Sequence, residues 1–197
     1  MIQKSETKVD RRVLYTKMFL KESLMELMRE KPIDKITPTE LCRHANINRN
    51  TFYAHYYTTR DLLVEIEEEF SSQIIESLGD KLKIDNTLDL LEKVCRVVYE
   101  KKEFCKVLLS DNGDAAFLQN VIKLGREQII KNWEAMGLQL NEEKTEIVFS
   151  FIISGSVAIM RTWAAGDMRV PPYEIADLIN RLTLNGINGV CAPNAAE

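Results

Sequence analysis

Residues 37–56 read Thr37-Pro38-Thr39-Glu40-Leu41-Cys42-Arg43-His44-Ala45-Asn46-Ile47-Asn48-Arg49-Asn50-Thr51-Phe52-Tyr53-Ala54-His55-Tyr56. Thr37 is an N-cap residue. Pro38 suits the first helical position, where its missing N–H costs nothing, and Glu40 completes a capping box. The spacing predicts a helix of about two turns through Leu41 and Ala45. Asn46 tolerates the left-handed backbone that a tight turn needs. Asn48 caps the next helix, on which Phe52 and Tyr56 stand at i and i+4. Two short helices joined by so short a turn form a helix-turn-helix.

The second helix has a chemical face. With Phe52 and Tyr56 turned to the core, Asn50 and Ala54 point the opposite way, flanked by Arg49 and Tyr53. Such a face suits a DNA major groove. Arg donates a fork to guanine, Asn pairs bidentately with adenine, and the small Ala54 lets the backbone approach. Thr51, Tyr53 and His55 can bond phosphate, which positions a protein without reading sequence.

Working outward, Leu14, Met18, Leu20, Leu24, Leu27 and Met28 recur at helical steps and predict an amphipathic helix that ends before Pro32. Thr58-x-x-Asp61 is another capping box. It opens a long helix with Leu62, Leu63, Ile66, Phe70, Ile74, Ile75 and Leu78, closed by Gly79. Helical periods then cover roughly 86–102, 103–109, 115–136, 142–165 and 173–190. Breaks fall at Asp85-Asn86, 110–114, Gly137, Gly166-Asp167 and Pro171-Pro172. No alternating strand run stands out, and the expected class is all-α. The run Glu65-x-Glu67-Glu68-Glu69 reads as a solvated face of the long helix.

Charge divides the 197 residues. Residues 1–60 hold 12 Lys and Arg against 7 Asp and Glu, or +5. Residues 61–197 hold 14 against 23, or −9, which together give the net −4. A basic end on an acidic body points to a polyanion partner at that end and a second task elsewhere. The nearly apolar run Ile147–Met160 is shorter than the 20 or so residues a bilayer needs, and the N-terminus carries no apolar signal core. A cytoplasmic protein with no membrane partner is expected. The four cysteines, Cys42, Cys95, Cys105 and Cys191, show no metal or disulfide spacing. Cys42, His44 and His55 are the nearest approach to a metal set, but Cys42 and His44 fall on different helix faces. No phosphate loop, zinc-protease or nucleophile-elbow motif is present, so no catalytic residue, metal or cofactor is expected.

The stretch from Lys35 through Thr51-Phe52-Tyr53-x-His55-Tyr56 to Asp61-Leu62-Leu63 closely resembles the TetR family of bacterial transcriptional regulators. With the preceding helix the resemblance covers about residues 11–66. Leu108-Leu109-Ser110-Asp111-Asn112-Gly113-Asp114 and the Trp163 region are similar to the branch that includes regulators of dihydroxyacetone kinase genes. Two positions depart from the family pattern: Asn46 replaces its turn glycine, and Thr59 replaces the lysine that opens its fourth helix. That lysine usually touches a phosphate; Arg60 is adjacent but turned by about 100°.

The resemblance implies a DNA-binding domain over 1–58, with its helix-turn-helix at 37–56, and a helical effector-binding and dimerisation domain over 59–197. It implies DNA contacts from Lys17, Thr37, Thr39, Asn48, Arg49, Asn50, Thr51, Tyr53, His55 and Arg60. The partners it implies are double-stranded operator DNA, a second copy through helices 142–165 and 173–190, and a small-molecule effector. The apolar side chains Val98, Tyr99, Phe104, Phe117, Trp133, Phe151 and Trp163 are the expected pocket lining. A homodimeric repressor released by its effector is the function implied. The competing reading is a helical small-molecule-binding protein or enzyme with no DNA role. The pI of about 5.4 favours it, while the helix-turn-helix match and the basic end count against it.

Overall fold

The computed structural model describes residues 11–78, 87–135 and 140–191. Among these residues the chain is helical, with no strand. The helices are α1 (Arg11–Met28), α2 (Pro38–His44), α3 (Arg49–Tyr53), α4 (Thr59–Leu78), α5 (Thr87–Glu100), α6 (Lys102–Leu108), α7 (Ala115–Ala135), α8 (Glu142–Ala165) and α9 (Pro172–Cys191), with a short 3-10 turn at Ile33–Lys35. The breaks expected at Gly79, Asp85-Asn86 and Gly137 lie outside the described residues.

The chain forms two compact units, Met1–Glu68 and Glu69–Glu197, so that the division falls inside α4. The sequence reading begins its second domain at residue 59. In the structure the first turns of α4 carry Leu62, Leu63 and Ile66 as buried residues of the first unit.

In the first unit the apolar stripe of α1 buries Leu20, Leu24, Leu27 and Met28, while α2 buries Leu41 and Cys42 and α3 buries Phe52. The local signals act as their chemistry predicts. Thr37 Oγ1 accepts from the Glu40 N–H at 3.2 Å, and Asn48 Oδ1 accepts from the Asn50 N–H at 2.8 Å. Asn46 takes a φ of 54°, the left-handed turn position. At α4 the box is reciprocal. Thr58 Oγ1 accepts from the Asp61 N–H at 3.2 Å, and the Asp61 carboxylate accepts from the Thr58 and Tyr57 N–H groups at 2.8 and 2.9 Å.

The second unit has two separate apolar clusters. One gathers Phe70, Cys95, Val98, Phe117, Trp163, Ile175, Ala176 and Ile179 among others. The other centres on Trp133, Phe149 and Ile187. α5 and α9 form the most extensive helix pairing. Gly113 is required where it stands, because a Cβ there would lie 2.0 Å from the Leu108 carbonyl oxygen.

α8 is longer than the apolar run that marks it, and its 24 residues are long and apolar enough to cross a membrane by length and composition. Only 17% of its most apolar stretch is buried within the single chain. Its exposed side carries Ile147, Phe151, Ser154, Gly155 and Ala158, with Ile147 63% and Phe151 78% exposed. A Cβ at Gly155 would meet nothing within 4 Å. Nothing among the described residues therefore demands a glycine there.

Candidate nucleic-acid interface

α3 is shorter than its sequence suggests, ending at Tyr53 with Ala54 as C-cap. Tyr56 lies beyond the helix, yet it is buried as expected. Its ring sits 5.7 Å from that of Phe52, which is fully buried. These two aromatics anchor one side of the segment. The other side presents Asn48, Arg49, Asn50, Thr51, Tyr53 and Ala54 to solvent. The Arg49 guanidinium lies 5.9 Å from the centroid of the Tyr53 ring, a cation–π contact between side chains one turn apart. Thr37 and Thr39 are exposed at the start of α2, and His55 is half-buried against Tyr56 at 6.2 Å.

Two expected contacts have other engagements. Lys17 Nζ donates to Glu65 Oε2 at 2.9 Å, Lys21 Nζ lies 2.9 Å from Glu65 Oε1, and the Tyr56 hydroxyl donates to Glu65 Oε2 at 3.1 Å. Lys17 also stands over the Tyr56 ring at 5.4 Å. One carboxylate on α4 thus ties α1 to the segment that follows α3. Burial raises the Glu65 carboxyl, but the bonds from Lys21 and Lys17 outweigh it and hold the group below its ordinary 4.5. Arg60 donates to Asp34 at 2.9 Å, with both groups largely exposed.

Thr59 is buried, and its hydroxyl donates to the Ile36 carbonyl at 2.9 Å. The residue that replaces the expected lysine is therefore a strut between α4 and the loop before α2. It does not offer its hydroxyl to a phosphate.

The acidic run of α4 needs correction. Glu65 is held in this ion-paired node and Glu67 is buried, while Glu68 and Glu69 are exposed. Period 3.6 puts residues two apart on different sides of a helix, so one run serves two environments. Sequence reasoning missed Glu65. Its spacing from Ile66, which faces the core, was the available signal.

The expected effector lining is divided between the two clusters. Val98, Phe104, Phe117 and Trp163 belong to the first and Trp133 to the second, while Tyr99 and Phe151 are exposed. Tyr99 stacks on Trp163 at 6.2 Å, and the Trp163 indole N–H donates to the Val170 carbonyl at 2.8 Å. A groove of about 410 Å³ runs along the ends of α8 and α9 past Ala158, Ile159, Trp163, Arg169, Ile175 and Leu178. Of the seven expected residues, Trp163 alone lines it. Cys42 is buried with its thiol pushed up by burial, while exposed His44 sits 3.7 Å from Glu26.

Residues 85–185, just over half of the chain, match a TetR-type family model described as the transcriptional regulator C-terminal region. A Bacillus subtilis (strain 168) protein, the uncharacterised HTH-type transcriptional regulator YxbF, is 32% identical over 77 residues. That match spans 39% of this chain and 20% of YxbF, so the chain covers only a fifth of its curated relative. Among solved structures, a TetR transcriptional regulator from Streptococcus agalactiae 2603V aligns with a TM-score of 0.66 at 19% identity, over 88% of this chain and 96% of that one. The dihydroxyacetone kinase operon activator DhaS aligns with a TM-score of 0.57 at 18% identity over the same shares. At such identities these two likenesses speak for the fold.

Proposed function

This chain belongs to the TetR family of transcriptional regulators, and we propose that it is a homodimeric repressor that reads a two-fold operator with α3 and leaves it when a small-molecule effector binds the second unit. The observation that carries the reading is the solvent face of α3. Arg49 and Asn50 stand exposed side by side over the buried Phe52. Arg49 and Asn50 are the base readers, matched to guanine and adenine edges. Thr37, Thr39, Asn48, Thr51, Tyr53 and His55 bond phosphates and set the register. Lys17 and Arg60 would reach phosphate only by exchanging Glu65 and Asp34 for it.

A single short helix reads few bases, so specific affinity needs two heads. The exposed stripe of α8 and the outer face of α9, with Leu178, Leu182, Gly186 and Gly189, supply the surface for a second copy. Small residues let backbones approach, and apolar area removed from water drives the pairing at about 25 cal/mol per Å². α4 belongs to both units, which makes it the element through which effector binding reaches the head. The effector acts only as far as it prefers the released state. The working place is the cytoplasm, where operator DNA lies.

The test is fluorescence anisotropy of the dimer on the palindromes flanking its own gene and on random duplex, across a salt series. A regulator binds one palindrome far above random, with affinity falling steeply as salt rises. Equal affinity for both duplexes overturns the reading. A promoter reporter gives the sign, because a repressor's deletion raises expression.

A further inference from the structure

α8 leaves one continuous stripe uncovered. Ile147, Phe151, Ser154, Ala158, Thr162 and Ala165 are all exposed, at steps of three and four along the helix. The stripe is graded in size. Its first half carries the bulky Ile147 and Phe151, with Phe151 78% exposed. Past Phe151 it carries only small side chains. The small end is also hollow. The groove of about 410 Å³ opens there, between Ala158, Ile159, Thr162 and Trp163 of α8 and Ile175 and Leu178 of α9. A scattered exposed phenylalanine is ordinary, but a large ring and an apolar hollow on one face of one helix form a patch that needs a partner.

Ring and hollow are related by position. Phe151 and Ala158 stand two turns apart, so they share a face and lie about 10 Å from each other along the axis. Gly155, where a Cβ would meet nothing within 4 Å, stands midway. A two-fold axis crossing α8 at Gly155 carries Phe151 of each copy onto residues 158–159 of the other. Parallel helices do the reverse. They set ring against ring and hollow against hollow, and the unfilled hollows forfeit their contacts. Charge favours the same orientation. Glu142 and Glu143 are exposed at the start of α8, beside Lys144, and Arg161 and Arg169 are exposed around its end, where the Asp167 carboxylate is already bonded to Lys106 at 2.7 Å. Antiparallel helices bring each acidic end beside a basic one, and parallel helices bring like beside like.

We propose that the occupant of the groove is a second copy of this chain, docked antiparallel along α8, so that Phe151 of each protomer seats in the other's groove beside Ala158. The inference rests on the homodimer reading above and adds its direction, its register and the side chain that anchors it. Filled from outside, the groove is closed to the effector, which must enter the body elsewhere.

The test is sedimentation velocity of full-chain variants over a concentration series, with far-UV dichroism as the check of folding. Phe151→Ala should weaken dimerisation about a hundredfold or more, because two seated rings are lost per dimer. Ala158→Phe should also weaken it, by filling the seat from within its own chain. Adding Phe151→Ala to Ala158→Phe should restore most of the loss, because the two positions face each other across the axis. A second readout needs no bulky change. In a Cys191→Ser background, which leaves only the buried Cys42, Cys95 and Cys105, Gly155→Cys should give a disulfide-linked dimer under mild oxidation, since a residue on the axis meets itself within bonding distance. Phe151→Cys should not. The proposal is overturned by a double variant that dimerises no better than Ala158→Phe, by a Gly155→Cys chain that does not link, or by a Phe151→Cys chain that links to itself as readily. In each of those cases a dimeric wild type leaves the homodimer reading standing. A wild type that sediments as a monomer removes that reading as well.

Discussion

Both units of this chain bury an apolar core and cap their helices, but the balance between local bonds and long-range packing differs. In the first, directional bonds at helix starts set the geometry. Thr37, Asn48 and the Thr58–Asp61 pair each satisfy N–H groups within three residues. In the second, order comes from aromatic and aliphatic packing between residues far apart in sequence, as in the cluster that joins Phe70 to Trp163 and Ile175. A reading head must hold a few donors at fixed positions against a rigid polymer, and caps and struts do that. A body that pairs with a copy and admits a ligand needs apolar area and room, which side-chain packing supplies.

The largest effect should come from the body's outer surface. Gly155→Arg introduces a long charged side chain where the single chain has open space. It should leave the protomer folded by far-UV dichroism, halve the mass seen by light scattering, and abolish operator binding. A variant that stays dimeric moves the interface elsewhere.

Next comes the reading face. Arg49→Ala and Asn50→Ala should each cost about 1–3 kcal/mol on operator and much less on random duplex. Tyr53→Phe should weaken both duplexes alike, by about 1 kcal/mol, since it removes one hydroxyl bond to the backbone. Equal losses on the two duplexes for Arg49→Ala would contradict base reading.

Glu65→Ala tests whether the head depends on its struts. It strips Lys17, Lys21 and Tyr56 of their shared acceptor. Urea unfolding should show a loss of about 1–3 kcal/mol. An unchanged midpoint would make the node incidental.

The smallest effect is pH-dependent. The Asp61 carboxyl lies below its ordinary 3.8 because the Thr58 and Tyr57 N–H groups and the Thr58 hydroxyl bond it, against a burial effect that raises it. A depressed acid contributes stability that is fully present above its unfolded value and is lost as pH falls through the folded one. The gap in stability between wild type and Asp61→Asn should therefore be constant at neutral pH and close below 3.8. A gap that persists down the acid limb assigns the difference to another cause.

The contrast also explains what the sequence discloses. Caps, turns and breaks depend on neighbours within four residues, so Thr37, Asn46, Asn48 and Asp61 are legible. The engagement of Lys17 by Glu65 spans 48 positions, and that of Arg60 by Asp34 spans 26. No local pattern announces either pairing. The aromatic residues of the body look like one pocket in the sequence because composition carries no distances. Packing assigns Trp133 and Trp163 to different clusters.

Hydroxyl-radical footprinting on the operator, with binding stoichiometry measured in the same tube, tests the central claim most directly. Two chains per site, with two protected patches whose centres lie about 34–36 Å or a multiple of that apart, is the result expected of two α3 helices on one face of the duplex. One chain per site with a single protected patch would contradict it.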